Sequence, residues 1–262
     1  HQQITPPAWA RSPAAQLVIG CLAEAGHEAR FVGGCVRDAL LAHTPHDLDL
    51  ATDAKPAVML DLLRKLDGVK AIPTGFDHGT ITAVVGDQKF EITTLRQDVA
   101  TDGRHAEVAF GDDWAIDADR RDFTINALNM NADGLVEDWH NGLEDLAAGR
   151  VRFIGDAHQR ITEDYLRMLR YFRFCARFDT NSPDPEALAA CRDLAARVEQ
   201  LSSERLHDEM RAILALDRAP EAIALMQDTG LLEPVLTVPA NVARYQTTRA
   251  MAGYPATDSV LG

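Results

Sequence analysis

The stretch at residues 33–52, GGCVRDALLAHTPHDLDLAT, constrains the fold and chemistry of this chain more than any other. A glycine pair opens a turn, an Arg-Asp pair follows it, and Asp47 and Asp49 lie in DLDLAT, which has the pattern of a β-strand. Because successive side chains on a strand point to opposite faces, residues two apart share a face. We therefore predict that both carboxylates project from the same face of a short strand.

Two neighbouring carboxylates repel each other unless a cation lies between them. Mg²⁺ is commonly held by one or two carboxylates together with substrate phosphates, and glycine turns can present backbone N–H groups to those phosphates. The pattern thus predicts phosphoryl or nucleotidyl transfer, with Asp47 and Asp49 as the Mg²⁺ ligands. The alternative is a solvated turn or a helix cap. The GxGxxG spacing of a dinucleotide-binding site does not occur at Gly33 and Gly34.

The composition narrows the class of protein. A chain of 262 residues with 46% hydrophobic content can form one large domain or two smaller ones with their own cores. The formal net charge is −14, so any nucleic-acid site must be a local basic patch. The four cysteines show no CxxC spacing, which argues against a zinc site or a disulfide framework. Neither a signal-like segment nor a membrane-length apolar run occurs, so we expect no membrane contact and a cytoplasmic location.

The order of predicted elements indicates two parts. Strand-like and helix-like segments alternate up to about residue 140, whereas apolar residues recur at helical spacing from Leu143 onward. We therefore predict an α/β head with a mixed β-sheet over residues 1–140, followed by an all-α neck and partial body over residues 141–262. Residues 96–111, RQDVATDGRHAEVAFG, are polar and glycine-punctuated, and they are predicted to form a mobile loop that could cover a site.

Two further segments of the head carry polar groups suited to a nucleotide. Glu91, in KFEITTL, has apolar neighbours on the opposite strand face and could supply a third carboxylate beside the aspartate pair. The motif RRDFTINAL places Arg121 and Asp122 before a short apolar piece. A guanidinium suits phosphate, and a carboxylate can accept hydrogen bonds from ribose hydroxyls. The alternatives are a solvent-facing strand glutamate and a charged, capped helix start.

The segment EDYLRMLRYFRFCAR, residues 163–177, is predicted to be one helix with an apolar face and an arginine-rich face. Asp164 and Arg167 lie three residues apart and are expected to be neighbours on it. A fixed carboxylate–guanidinium pair would match the exocyclic amine and ring acceptor of cytosine or adenine, and would reject the ring N–H of guanine or uracil. The alternative is a solvated face. His207-Asp208 resembles a hydrolase metal pair but has no matching second set, so it is predicted to lie on a surface helix.

Taken in order, these motifs resemble the class II tRNA nucleotidyltransferases, which comprise the CCA-adding enzymes and bacterial poly(A) polymerases of the polymerase-β-like superfamily. The resemblance runs over residues 30–177 and weakly to about residue 232. The motifs are FVGGCVRDALL with HDLDLAT, FEITTLRQDVATDGRHAEV, RRDFTINAL, DWHNGLEDLAAGRVRFIGD and RITEDYLRMLRYFRF. The family continues into body and tail helices that hold the tRNA elbow, and we expect that part to be incomplete here.

The resemblance implies a role for each matching residue. The metal-binding carboxylates would be Asp47 and Asp49, with Glu91 as the third acidic residue of the catalytic set. The nucleotide-binding residues would be Gly34 and Arg37 at the phosphates, Arg121 and Asp122 at the triphosphate and ribose, Asp164 and Arg167 at the base, and Arg170 and Arg173 nearby. The loop TDGRHAE, residues 101–107, would help the switch from C to A.

The implied reaction is a two-metal nucleotidyl transfer. The 3′-hydroxyl of tRNA would attack the α-phosphorus of CTP or ATP, with Mg²⁺ as cofactor and pyrophosphate as the leaving group. The alternatives are a bacterial poly(A) polymerase, an enzyme that adds only CC or only A, and a non-catalytic tRNA-binding protein. A small-molecule nucleotidyltransferase would share the glycine turn and the aspartate pair but would lack the EDxxR helix. The oligomeric state stays open.

Overall fold

The computed structural model describes residues 1–101, 106–178 and 182–236. The described residues fall into two compact units. The first contains residues 1–101 and 106–143, and the second contains residues 144–178 and 182–236. No helix among these residues is long and apolar enough to cross a membrane.

The first unit is built on a mixed sheet of eight strands, as the sequence predicts. The strands are β1 (Gln2–Gln3), β2 (Ala29–Val32), β3 (Leu48–Thr52), β4 (Val69–Gly75), β5 (Thr80–Val85), β6 (Gln88–Thr94), β9 (Asn129–Met130) and β10 (Leu135–Glu137). Their order in the sheet is β1-β10-β9-β2-β3-β6-β5-β4; β3 and β6 run parallel, and the other pairs are antiparallel. The helices are α1 (Pro13–Glu24), α2 (Gly34–Leu40), α3 (Pro56–Arg64) and α4 (Trp114–Asp119).

Local sequence accounts for these elements. Helix α1 begins after Ser12, whose side chain accepts a hydrogen bond from the Ala15 N–H, with proline at the first helical position. On β6, Phe90 and Ile92 are fully buried while Glu91 lies on the other face. This alternation, predicted from the sequence, keeps an acidic side chain at the surface of a strand whose opposite face is core.

Residues 96–111 are not the loop that their polarity predicts. They contain β7 (Arg96–Thr101) and β8 (Ala106–Phe110), which pair as an antiparallel two-stranded sheet. Residues 96–98, a polar run, are paired with residues 108–110, an apolar one, so backbone hydrogen bonds form a strand that lacks the usual side-chain pattern. Residues 102–105, and with them the centre of the predicted switching loop, lie outside the described residues.

The second unit is helical over its described residues. Its helices are α5 (Gly142–Ala147, beginning at the end of the first unit), α6 (Ala157–Glu163), α7 (Leu166–Arg177), α8 (Pro185–Leu194), α9 (Ser203–Leu214), α10 (Ala219–Asp228) and α11 (Leu232–Val235). The predicted all-α part is therefore confirmed. Met168, Leu169 and Phe172 of α7 are fully buried, as the apolar stripe predicts.

Candidate active site

Asp47, Asp49 and Glu91 lie on or beside β3 and β6, two neighbouring inner strands of the mixed sheet. Asp49 is the second residue of β3 and pairs in parallel register with Glu91 of β6, while Asp47 directly precedes the strand. Burial and the negative charges of Glu91 and Asp47 raise the pKa of the Asp49 carboxyl to about 6, against the opposing charge of Arg121. The side chains of Asp47 and Glu91 are 65% and 44% exposed. The carboxylates of Asp47 and Glu91 are therefore open to solvent, and their negative charges disfavour the ionised form of Asp49.

This cluster is suited to a cation that takes its remaining ligands from a bound substrate. Among the described residues, no group of three or more His, Cys, Asp or Glu side chains is arranged as a closed metal site. Lys89 Nζ lies 2.6 Å from Glu91 Oε1 and offsets that charge. Mg²⁺ needs only one or two protein carboxylates when phosphates complete its shell. Burial and the nearby charge of Glu91 raise the pKa of the Asp49 carboxyl, so a cation bound here would stabilise its ionised form.

Gly33, rather than Gly34, makes the closest approach in the glycine turn. Gly33 has φ of +70° just before α2, and a Cβ added there would lie 2.8 Å from Arg121 Nη1. At Gly34, an added Cβ would lie 3.5 Å from Arg37 Nη2, an ordinary contact. The sequence singles out the glycine pair, but only the structure identifies which glycine the guanidinium packs against.

Arg37 is buried, with its guanidinium turned toward the protein interior. Its Nε and Nη2 donate to Asp38 Oδ1 at 3.0 and 2.8 Å, and Nη1 donates to the Asn126 side chain. Asn126 Nδ2 in turn donates to Asp122 Oδ1 at 3.0 Å. This chain of hydrogen bonds joins α2 to the RRDFTINAL segment. It gives Arg37 a clear positioning role, while its predicted phosphate contact stays a prediction.

Arg121 and Asp122 lie beside the glycine turn, where Asn126 and Asp117 hold them. Arg121 Nη1 donates to the Asn126 carbonyl at 3.4 Å, and Nη2 donates to Asp117 Oδ2 at 3.2 Å. Asp122 is buried and accepts from the Phe123 N–H at 2.9 Å. Asn126 and Asp117 are not among the residues predicted from the sequence. The sequence signal for Asp117 is its position four residues before Arg121, a spacing that brings side chains together on a helical segment.

In the second unit, Asp164 and Arg167 are not paired on one helix. Helix α6 ends at Glu163, Asp164 is extended (φ −155°, ψ 107°), and α7 begins at Leu166. Asp164 Oδ1 accepts from the Leu166 N–H at 3.1 Å. A short acidic side chain that bonds nearby backbone competes with helix continuation, which the wheel projection does not register. The prediction of a single helix over residues 163–177 is therefore wrong.

Each predicted base-reading side chain has a different ion partner. Asp164 Oδ2 lies 2.8 Å from Arg205 Nη2 of α9. Arg167 Nη1 lies 2.6 Å from Glu163 Oε2 and 2.8 Å from the Arg160 carbonyl.

The other two arginines predicted to lie near the nucleotide also have local contacts. Arg173 pairs with Glu209, and Arg170 lies 5.5 Å from the centre of the Phe174 ring. The arginine-rich face is thus largely engaged by acids and rings, some of them on α9. His207 and Asp208 are exposed on α9, as predicted.

Comparison with known proteins agrees with this architecture. A sequence model described as the poly A polymerase head domain matches residues 29–152. A second, described as a probable RNA and SrmB-binding site of polymerase A, matches residues 182–240. The human mitochondrial CCA tRNA nucleotidyltransferase 1 is 46% identical over 220 residues, which are 83% of this chain and 50% of that protein.

The chain belongs to the class II tRNA nucleotidyltransferase and poly(A) polymerase family. The CCA-adding enzyme of Bacillus stearothermophilus in complex with CTP superposes with a TM-score of 0.78 and 32% identity, over 93% of this chain and 58% of that one. A tRNA nucleotidyltransferase complexed with a primer tRNA and an incoming ATP analog gives 0.76 and 26%, over 90% and 67%.

This member of the family spans about half the length of the human relative. Because the human relative's name includes the word mitochondrial, the cytoplasmic location stays a prediction. The family membership covers both units, since one matched region lies mainly in the first unit and the other in the second.

Proposed function

We propose that this chain carries the nucleotidyl-transfer site of a CCA-adding enzyme, which adds CMP and AMP from CTP and ATP to the 3′ end of tRNA. The observation that carries the proposal is the placement of Asp49 beside Glu91 and close to Asp47, with a positive Arg121 acting on the same carboxyl. The names of the similar structures, which include CTP, an ATP analog and primer tRNA, support this choice of substrates.

In the proposed reaction, a bond forms between the RNA 3′-oxygen and the α-phosphorus, and the bond from that phosphorus to the pyrophosphate oxygen breaks. Asp47 and Asp49 would hold Mg²⁺, which would lower the pKa of the attacking hydroxyl and neutralise the leaving phosphates. Since the pKa of Asp49 is about 6, its carboxyl is ionised at neutral pH and able to serve as a ligand. Arg121, held at the glycine turn, would contact the triphosphate, and Asp122 the ribose.

Base selection is assigned to the second unit. Asp164 and Arg167 would accept cytosine and adenine, but each is engaged elsewhere in the chain. Reading a base with this pair therefore requires that Asp164 turn from Arg205, or share its oxygens with it, and that Arg167 turn toward the base. The proposal thus includes an exchange of ion pairs when the nucleotide binds.

The test uses tRNA transcripts that end before CCA, at CC, or with complete CCA, each incubated with Mg²⁺ and CTP, ATP or both. A CCA-adding enzyme extends the first with CTP and the second with ATP by one residue, and leaves the third unchanged. Continued addition of AMP would indicate a poly(A) polymerase. Extension by CTP alone or by ATP alone would indicate a partial enzyme. Absence of any transfer, in a protein that is shown to be folded, would contradict the proposal.

A further inference from the structure

Asp117 is a buried carboxylate at the centre of three hydrogen bonds near the glycine turn. It lies in α4 with only 3% of its surface exposed. Its Oδ1 accepts from Arg120 Nε at 2.9 Å and from the backbone N–H of Arg96 at 3.3 Å. Its Oδ2 accepts from Arg121 Nη2 at 3.2 Å. Burial alone would raise the pKa of Asp117, but the charges of both arginines outweigh it and lower the pKa.

The two oxygens of this carboxylate serve different elements. Oδ1 bonds the first residue of β7, and Oδ2 bonds the arginine that packs on Gly33. The other arm of that arginine donates to the Asn126 carbonyl. Two acceptors, one on each terminal nitrogen, therefore fix the plane of the Arg121 guanidinium against the turn. An arginine fixed in this way loses less conformational freedom when it binds an anion.

We propose that Asp117 is a positioning residue for the triphosphate, acting through Arg121, and that it ties this arginine to the start of the β7–β8 hairpin. The inference rests on the proposed function, because it takes the anion to be the nucleotide triphosphate. It adds a residue that would act on the nucleotide through Arg121 rather than by direct contact. The competing explanation is a purely structural clamp, in which Asp117 stabilises α4 and the hairpin without any effect on binding.

The experiment is a double-mutant cycle of Asp117→Asn and Arg121→Ala, with CTP binding and inorganic pyrophosphate binding measured by calorimetry. Asparagine keeps the size of the side chain but removes the charge and one acceptor oxygen. We expect Asp117→Asn to weaken both ligands about tenfold, in line with the loss of one charge-assisted hydrogen bond. In the Arg121→Ala background the same substitution should change binding by less than about twofold, because its effect passes through the missing arginine.

Asp113→Ala is the matched control. Asp113 caps the same helix, accepting from the Ala115 and Ile116 N–H groups at 2.8 and 3.2 Å, so its loss destabilises α4 with no direct effect on Arg121. We expect it to lower the melting temperature while leaving the affinity for pyrophosphate unchanged. If Asp117→Asn does not fold, Asp117→Glu keeps the charge but moves it by one methylene, and the same cycle applies.

The outcomes separate this inference from the proposed function. A wild-type chain that binds CTP but transfers nothing would contradict the proposed function, while the cycle would still test Asp117. Equal weakening by Asp117→Asn with and without Arg121, or no weakening at all, would overturn the positioning role. Failure of the wild-type chain to bind either ligand would overturn it as well. In the transfer assay, the positioning role predicts a higher KM for CTP with an unchanged KM for tRNA.

Discussion

Asp49 of the first unit and Asp145 of the second differ in how their charge is balanced. In the first unit, burial and the charges of Glu91 and Asp47 raise the pKa of Asp49 to about 6. In the second unit, the fully buried Asp145 accepts from Arg150 and Arg152 at 2.9–3.1 Å. Asp49 therefore has a carboxylate that a bound cation would stabilise, whereas the carboxylate of Asp145 is already balanced by two arginines.

The balance of charges in the structure also changes the interpretation of the arginine-rich segment, residues 163–177. From the sequence, Arg167 and Arg173 belong to the arginine-rich face of the predicted helix, and the family resemblance implies that they contact the nucleotide. In the structure they face Glu163 and Glu209. An excess counted along the chain is thus not an excess in space, because acids from α9 and from the end of α6 supply the balance.

The largest expected effect concerns the cluster of Asp47, Asp49 and Glu91. Replacing Asp49 with alanine should reduce the rate of CMP incorporation about a thousandfold or more, because the proposed metal ion would lose one of its two protein carboxylates. Asp53→Ala is the control, since Asp53 follows the other end of the same strand, where it accepts from the Glu28 N–H at 2.9 Å. A rate for Asp49→Ala within tenfold of wild type would contradict the proposal that Asp49, unlike Asp53, is a metal ligand.

A smaller effect is expected in the arginine-rich segment. Replacing Arg167 with alanine should lower the discrimination against GTP and UTP by about tenfold while leaving measurable transfer, because the base loses one of its two hydrogen-bonding partners. Arg177→Ala, at the exposed end of α7, should keep full discrimination. The measurement is a competition between nucleotides on one tRNA primer. Unchanged discrimination in Arg167→Ala would mean that Arg167 serves only in its ion pair with Glu163.

The contrast between Asp49 and Asp145 can be tested by measuring the free energy of unfolding of variants at each position. In metal-free buffer at pH 7.5, Asp49→Asn should raise the free energy of unfolding by about 1–2 kcal/mol, whereas Asp145→Asn should lower it by about 1–3 kcal/mol. The folded-state pKa of Asp49 is raised, so the native state keeps a proton that the unfolded state loses between about pH 4 and pH 6. Asp49 therefore costs stability above that window, and the gain from asparagine should vanish toward pH 4.

Urea unfolding of both variants across pH 4 to 8 checks this expectation. A gain for Asp49→Asn that does not depend on pH would show that its charge is not the cause. Destabilisation by both variants would contradict the contrast between the two units.

Much of the architecture was predictable because its signals are local. Alternation along β6 and the apolar stripe of α7 identify the elements, and the order of motifs identifies the mixed-sheet head. The break at Asp164 and the hairpin β7–β8 were not predictable, because they depend on one side chain's hydrogen bond and on pairing between a polar and an apolar strand. For the same reason, Arg205 enters only with the structure, as a partner brought in through packing, whereas Asp117 has its four-residue spacing from Arg121 as a sequence signal.

The most direct test of the account is the position of a metal bound with nucleotide. In a crystal soaked with CTP and Mn²⁺, anomalous scattering should place an ion about 2–2.5 Å from carboxylate oxygens of Asp47 and Asp49, bridged to the triphosphate. An ion bound to CTP elsewhere on the chain, with both aspartates solvated, would contradict it.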